Sequence, residues 1–110
     1  MDTTRAVASL ASLAQEHRLE AYRQLVQAGP EGVSAGELAE RLGIPANTLS
    51  FHVKSLSQAG LVEARHEGRY IYYSANFEAM NSLLAFLRDN CCGGRPCTPA
   101  ALPARKRRTS

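Results

Sequence analysis

All three cysteines of this 110-residue chain fall between Cys91 and Cys97, in the order Cys-Cys-x-x-x-x-Cys. The same segment holds Gly93, Gly94 and Pro96, so the backbone can bend and let the thiols of Cys91, Cys92 and Cys97 converge on one atom. Thiolates select soft, thiophilic centres. Trivalent arsenic and antimony take three sulfurs in a pyramid, because a lone pair occupies the fourth direction. Zinc prefers four ligands, and no fourth is evident, since His17, His52 and His66 stand elsewhere in the chain. Oxidation is the competing chemistry. Cys92 and Cys97 could close a disulfide across the Gly-Gly loop, whereas the adjacent pair Cys91–Cys92 would be strained.

A second set of residues suits a different partner. Ala46 or Asn47 to Gln58 has helical periodicity, with Leu49, Val53 and Leu56 on the inner third of the wheel. The opposite face carries Asn47, Phe51, Lys54 and Ser55, flanked by Thr48 and Ser50. Asn, Ser and Thr can read base edges, Lys54 can neutralise a phosphate, and the Phe51 ring can meet a thymine methyl. His52 lies at the border with the core, where a structural role and a phosphate contact are both open. Arg65, His66 and Arg69 then surround Gly68, a cationic tip for backbone or minor-groove contact.

These side chains need elements to hold them. Thr4 to Leu13 carries Val7, Leu10, Ala11 and Ala14 at helical spacing. A second helix, about Glu16 to Ala28, aligns Leu19, Tyr22, Leu25 and Val26 and stops at Gly29-Pro30-Glu31-Gly32. Ser34 with Glu37 forms a capping box for a short third helix, Ala35 to Leu42, closed by Gly43. The helix carrying the polar face follows and ends at Gly60. Leu61 to Arg65 and Arg69 to Ser74 are expected strands, with His66-Glu67-Gly68 as their turn. Asn76 caps a last helix, Phe77 to about Asn90, striped by Met80, Leu83, Leu84 and Leu87. The expected fold is mainly α with a β-hairpin: a winged helix-turn-helix, dimeric, whose second helix of the pair enters the major groove. Residues 1–92 form the DNA-binding and dimerisation domain. Residues 93–110 form a cysteine-containing loop and a flexible basic tail.

Composition narrows the alternatives. The net charge is +3, but Arg105, Lys106, Arg107 and Arg108 supply four of thirteen basic residues. The remainder is close to neutral, so DNA affinity must come from a local patch and from dimerisation. The core is small, and burying more surface in an oligomer would help it. No apolar run is long enough for a bilayer, and no signal peptide is evident, so a cytoplasmic protein with reduced thiols is expected. An enzyme is not: no Cys-x5-Arg oxyanion loop, no Gly-rich phosphate loop and no Ser/His/Asp set occurs, and no catalytic cofactor is implied.

The run SLASLAQEHRLEAYRQLVQAG, followed by ELAERLGIPANTLSFHVKSLSQAGLVEARHEGRYIYY, resembles the ArsR/SmtB family of metalloregulatory repressors over roughly residues 7–90. Its most specific pieces are Ser50-x-His52, Ala59-Gly60-Leu61-Val62 and Gly68-Arg69-x-x-x-Tyr73. The resemblance implies a homodimer held by the first and last helices, bound to a near-palindromic operator and released by its ligand. One version of the family has a Cys-x-Cys pair before the recognition helix, where this chain reads GELAERLG. Another uses Asp and His along the last helix, where this chain reads NFEAMNSLLAFLRDN. What remains resembles the arsenic-sensing members with a C-terminal cysteine cluster. That implies Cys91, Cys92 and Cys97 as ligands and arsenite, methylarsenite or antimonite as inducer. A two-cysteine site of Cys91 and Cys92 would favour a methylated arsenical. A redox-responsive or other soft-metal-responsive repressor is the alternative.

Overall fold

The computed structural model describes residues 1–95. Cys97 and the basic tail of the expected second segment lie outside the described residues. The chain forms α1 (Thr3–Leu13), α2 (Glu16–Ala28), β1 (Val33–Ser34), α3 (Ala35–Leu42), α4 (Ala46–Gln58), β2 (Val62–Glu67), β3 (Tyr70–Ala75) and α5 (Phe77–Arg88). A short 3-10 turn, Cys91–Gly94, follows. The architecture is the expected winged helix-turn-helix.

Local chemistry accounts for the helix limits. Asp2, Ser34 and Asn76 each accept a backbone N–H from three residues on, capping α1, α3 and α5. The ends of α3 and α4 close in the same way. Ile44 N–H donates to Ala39 O at 3.1 Å, and Leu61 N–H donates to Leu56 O at 3.0 Å, each satisfying a carbonyl the helix leaves open. Leu38 and Ala39 of α3 pack with Leu49, Val53 and Leu56 of α4 over Ala21, Tyr22 and Leu25 of α2. That cluster fixes the angle between the two helices of the turn motif.

The hairpin is longer than its sequence suggests. His66 and Glu67, expected in the turn, belong to β2 and pair with Ile71 and Tyr70. The loop shrinks to Gly68-Arg69. Gly68, at φ +62°, occupies the first loop position, where a two-residue hairpin needs a positive φ. The longer ladder satisfies more backbone groups than a three-residue turn would. A third strand, β1, was not expected; it pairs antiparallel with β3, Val33 opposite Tyr73 and Ser34 opposite Tyr72. Gly32 makes that approach possible. Its φ is +79°, and a Cβ there would lie 2.3 Å from the Tyr73 carbonyl oxygen.

Asn76 ties the wing and α5 to the end of α4. Its N–H donates to Leu61 O at 2.8 Å, and its Nδ2 donates to Gly60 O at 3.1 Å. The same side chain caps α5 through Oδ1. Two helix faces expected from periodicity remain uncovered. Val7 and Leu10 of α1 are exposed, and the buried positions there are Ala6, Ser9 and Ser12. In α5 Leu83 is buried, while Leu84 and Leu87 are 49% and 55% exposed.

Candidate nucleic-acid interface and thiol cluster

On α4 the polar face forms largely as the wheel predicts. Asn47, Ser50, Phe51 and Lys54 are exposed, and Thr48 and Ser55 are half-buried. Phe51 is the largest of them, 63% exposed. An aromatic ring left in water on a helix flanked by Ser and Lys fits an apolar surface such as a base methyl. Asn47 Oδ1 accepts the Thr48 N–H at 3.0 Å, which holds that side chain against the first turn. Pro45, at the N-cap, supplies no side-chain hydrogen bond.

His52 departs from the expected set. It is 8% exposed, turned from the outer face towards α2. Its Nδ1 accepts Arg18 Nε–H at 3.4 Å, and its ring lies 5.5 Å from that of His17. Burial, then the Arg18 and His17 charges, hold its pKa below the ordinary histidine value. The wheel angle of residue 52 permits either side of the border. Arg18, from a distant part of the sequence, decides it.

The wing presents less free charge than its sequence suggests. Arg65 Nε donates to Glu67 Oε2 at 2.6 Å, its Nη2 donates to Glu31 O at 3.3 Å, and its guanidinium lies over the Tyr72 ring at 5.1 Å. These partners hold Arg65 on the wing flank. Arg69, at the tip, enters no ion pair among the described residues. Tyr70 is exposed beside it, 6.5 Å from Tyr72. A tip made of one cation and one amphipathic ring suits a phosphate-lined groove.

The thiols of Cys91 and Cys92 are brought together. Their Sγ atoms are 3.6 Å apart and exposed, one short turn beyond α5. The backbone reverses there through Asn90 at φ 57° and Cys92 at φ 58°. Two sulfurs bonded to one atom at about 2.3 Å lie roughly 3.3–3.8 Å apart for right to tetrahedral angles. The pair therefore has the separation a shared thiophilic centre requires. Among the described residues no third metal-binding side chain joins it, and Cys97 lies outside them. No described helix is long and apolar enough to cross a membrane.

A turn of two helices over one core, with a β-wing beside an exposed polar helix, defines a winged helix-turn-helix DNA-binding protein, and comparison with known proteins narrows the class. A helix-turn-helix domain family matches residues 13–65. The arsenical resistance operon repressor of Bacillus subtilis is 35% identical over 81 residues, 74% of this chain and 73% of that protein. The regulator YgaV of Escherichia coli is 34% identical over 64 residues, 58% of this chain and 65% of its own length. Among solved structures, HlyU of Vibrio cholerae superposes with a TM-score of 0.66 at 29% identity, covering 84% of this chain and 99% of that one. A homodimeric winged helix-turn-helix domain from Mycobacterium bovis gives 0.64 at 26% identity, covering 86% and 88%. The chain belongs to the ArsR family of winged helix-turn-helix transcriptional regulators, and is a DNA-binding regulator rather than an enzyme.

Proposed function

We propose that this regulator is a homodimeric repressor that leaves a near-palindromic operator when trivalent arsenic, or antimony, is bound by Cys91, Cys92 and Cys97. The observation that carries the reading is the Cys91–Cys92 pair, two exposed sulfurs 3.6 Å apart directly beyond α5. That helix has uncovered leucines at 84 and 87, and α1 has Val7 and Leu10. Apolar faces of this kind on the first and last helices fit a two-fold seam. The Mycobacterium relative is homodimeric, and the Bacillus relative is an arsenical resistance repressor.

The coupling route runs through hydrogen bonds already described. A trivalent centre draws the three thiols together and reshapes the turn after Arg88. α5 moves relative to its partner in the seam. At its other end Asn76 is bonded to both Gly60 and Leu61, so a shift of α5 is passed to the end of α4 and the base of the wing. The two recognition helices then no longer match successive major grooves. Asn47, Thr48, Ser50, Phe51, Lys54 and Ser55 serve as the groove-facing set and Arg69 as the wing contact, with Arg65 in a supporting place on the flank.

Fluorescence anisotropy tests this. The reduced protein, on a duplex it selects from a random pool, is titrated with arsenite, methylarsenite, antimonite, zinc and peroxide. Release at near-stoichiometric trivalent arsenic, abolished in Cys91→Ser with duplex affinity retained, is the expected result. Release by peroxide or zinc alone would replace arsenic with a redox or other metal signal. Normal arsenic release in Cys91→Ser would place the ligand elsewhere.

A further inference from the structure

Arg18 and His52 lie 34 positions apart, yet meet at the inner border of the recognition helix. Arg18 is the third residue of α2, anchored there by its own N–H, which donates to the Gln15 side chain at 3.0 Å. Its Nε donates to His52 Nδ1. Acceptance at Nδ1 requires a neutral imidazole with its proton on Nε2. The His52 ring also meets Phe51 edge-on, with centroids 5.6 Å apart. The chain of contacts therefore runs from α2 through one uncharged ring to the most exposed apolar side chain on the groove-facing surface.

We infer that Arg18 is a positioning residue for DNA recognition: through neutral His52 it sets the seat of α4 and the pose of Phe51, and protonation of His52 releases that hold and weakens operator binding. The inference rests on the operator-binding reading above. A protonated ring would turn its acceptor into a donor facing the Arg18 guanidinium, with His17 beside it, so both hydrogen bond and charge would become unfavourable. Other elements packed on α4 bring no remedy. In α3, Glu37 pairs with Arg41, and in β2, Arg65 pairs with Glu67. Arg5 of α1, Glu40, Glu63 and Lys54 do not figure among the groups acting on His52, which are Arg18 and His17.

The sign follows from the lowered folded-state pKa. Below about pH 6.5 the unfolded chain takes up this proton more readily than the folded one, so the hold is intact at neutral pH and lost on acidification. Replacing His52 with Asn removes this one group and leaves every other in place, so the variant comparison isolates it.

The test measures affinity for the selected, fluorescein-labelled duplex between about pH 5 and 8, well below the melting temperature. Wild type, His52→Asn and Arg18→Gln are compared. Asn offers Arg18 an acceptor that does not titrate. Wild type should lose affinity on acidification relative to His52→Asn, by roughly three- to tenfold, the worth of one modest hydrogen bond. Arg18→Gln should weaken binding at neutral pH by a similar factor without changing the salt slope. A slope shallower by about 0.9 would instead make Arg18 a direct phosphate contact. That result, parallel pH profiles for wild type and His52→Asn, or variants that shift only the melting temperature, would each overturn the inference. Wild type that selects no duplex would sink the operator-binding reading, and this one with it.

Discussion

Replacing Leu84 and Leu87 together with Ala should split the dimer and leave the protomer folded. Complete burial of a leucine side chain is worth about 1.5–3 kcal/mol. Leu84 and Leu87 are 49% and 55% exposed in the protomer, so each has roughly half of that still to gain. A two-fold seam counts every residue twice. Four half-buried leucines amount to about 3–6 kcal/mol per dimer, an upper bound because Ala keeps its own Cβ. The dimer dissociation constant should therefore rise by about two to four decades. Sedimentation equilibrium over a wide concentration range reads this directly, with circular dichroism as the check on the protomer. Duplex binding should become strongly concentration-dependent in the same variant. An unchanged dimer constant with a folded protomer would show that α5 is not the seam, and the coupling route through Asn76 would fall with it.

Three further outcomes follow from single residues. Gly32→Ala should cost about 2–4 kcal/mol in urea unfolding, combining a left-handed backbone with a Cβ driven into the Tyr73 carbonyl; a loss below about 0.5 kcal/mol would mean that β1 does not sit against β3 as described. Glu67→Gln frees Arg65 from its ion pair, and should tighten duplex binding and steepen its salt slope by about 0.9. An unchanged slope would keep Arg65 off the phosphates. Tyr22 has a buried hydroxyl with no hydrogen-bond partner among the described residues, and burial also pushes its pKa up. Tyr22→Phe should stabilise the protein by about 1 kcal/mol, and a comparable loss in thermal unfolding would reveal a partner for that hydroxyl.

Much of the fold was legible because local chemistry and periodicity agree. Ser34 and Asn76 mark helix starts, Gly43 and Gly60 mark ends, and Leu49, Val53 and Leu56 mark the inner side of α4. The elements that escaped notice depend on distant partners. Val33-Ser34 is too short for any alternation to register, and becomes a strand only because Tyr73 lies opposite and Gly32 lets the backbones approach. The wing gained His66 and Glu67 because cross-strand pairing extends to the tightest loop that Gly68 allows. In the site, the exposed set on α4 followed from the wheel. The fate of His52 did not, since it turns on Arg18, and neither did the engagement of Arg65 by Glu67, Glu31 and Tyr72. Periodicity marks the stripe in α5 as apolar, but Leu84 and Leu87 stay half-exposed in the protomer, an outcome that periodicity alone cannot distinguish from a core.

On the proposed reading, a thiophilic ligand and the operator oppose one another through this fold. Because coupling between two ligands is reciprocal, it can be read from either side. The most direct measurement is the arsenite affinity of the reduced protein, alone and saturated with its selected duplex. Binding about five- to 150-fold weaker on DNA is expected, the span of a coupling of about 1–3 kcal/mol. Equal affinities with and without DNA would contradict it, whatever the cysteines bind.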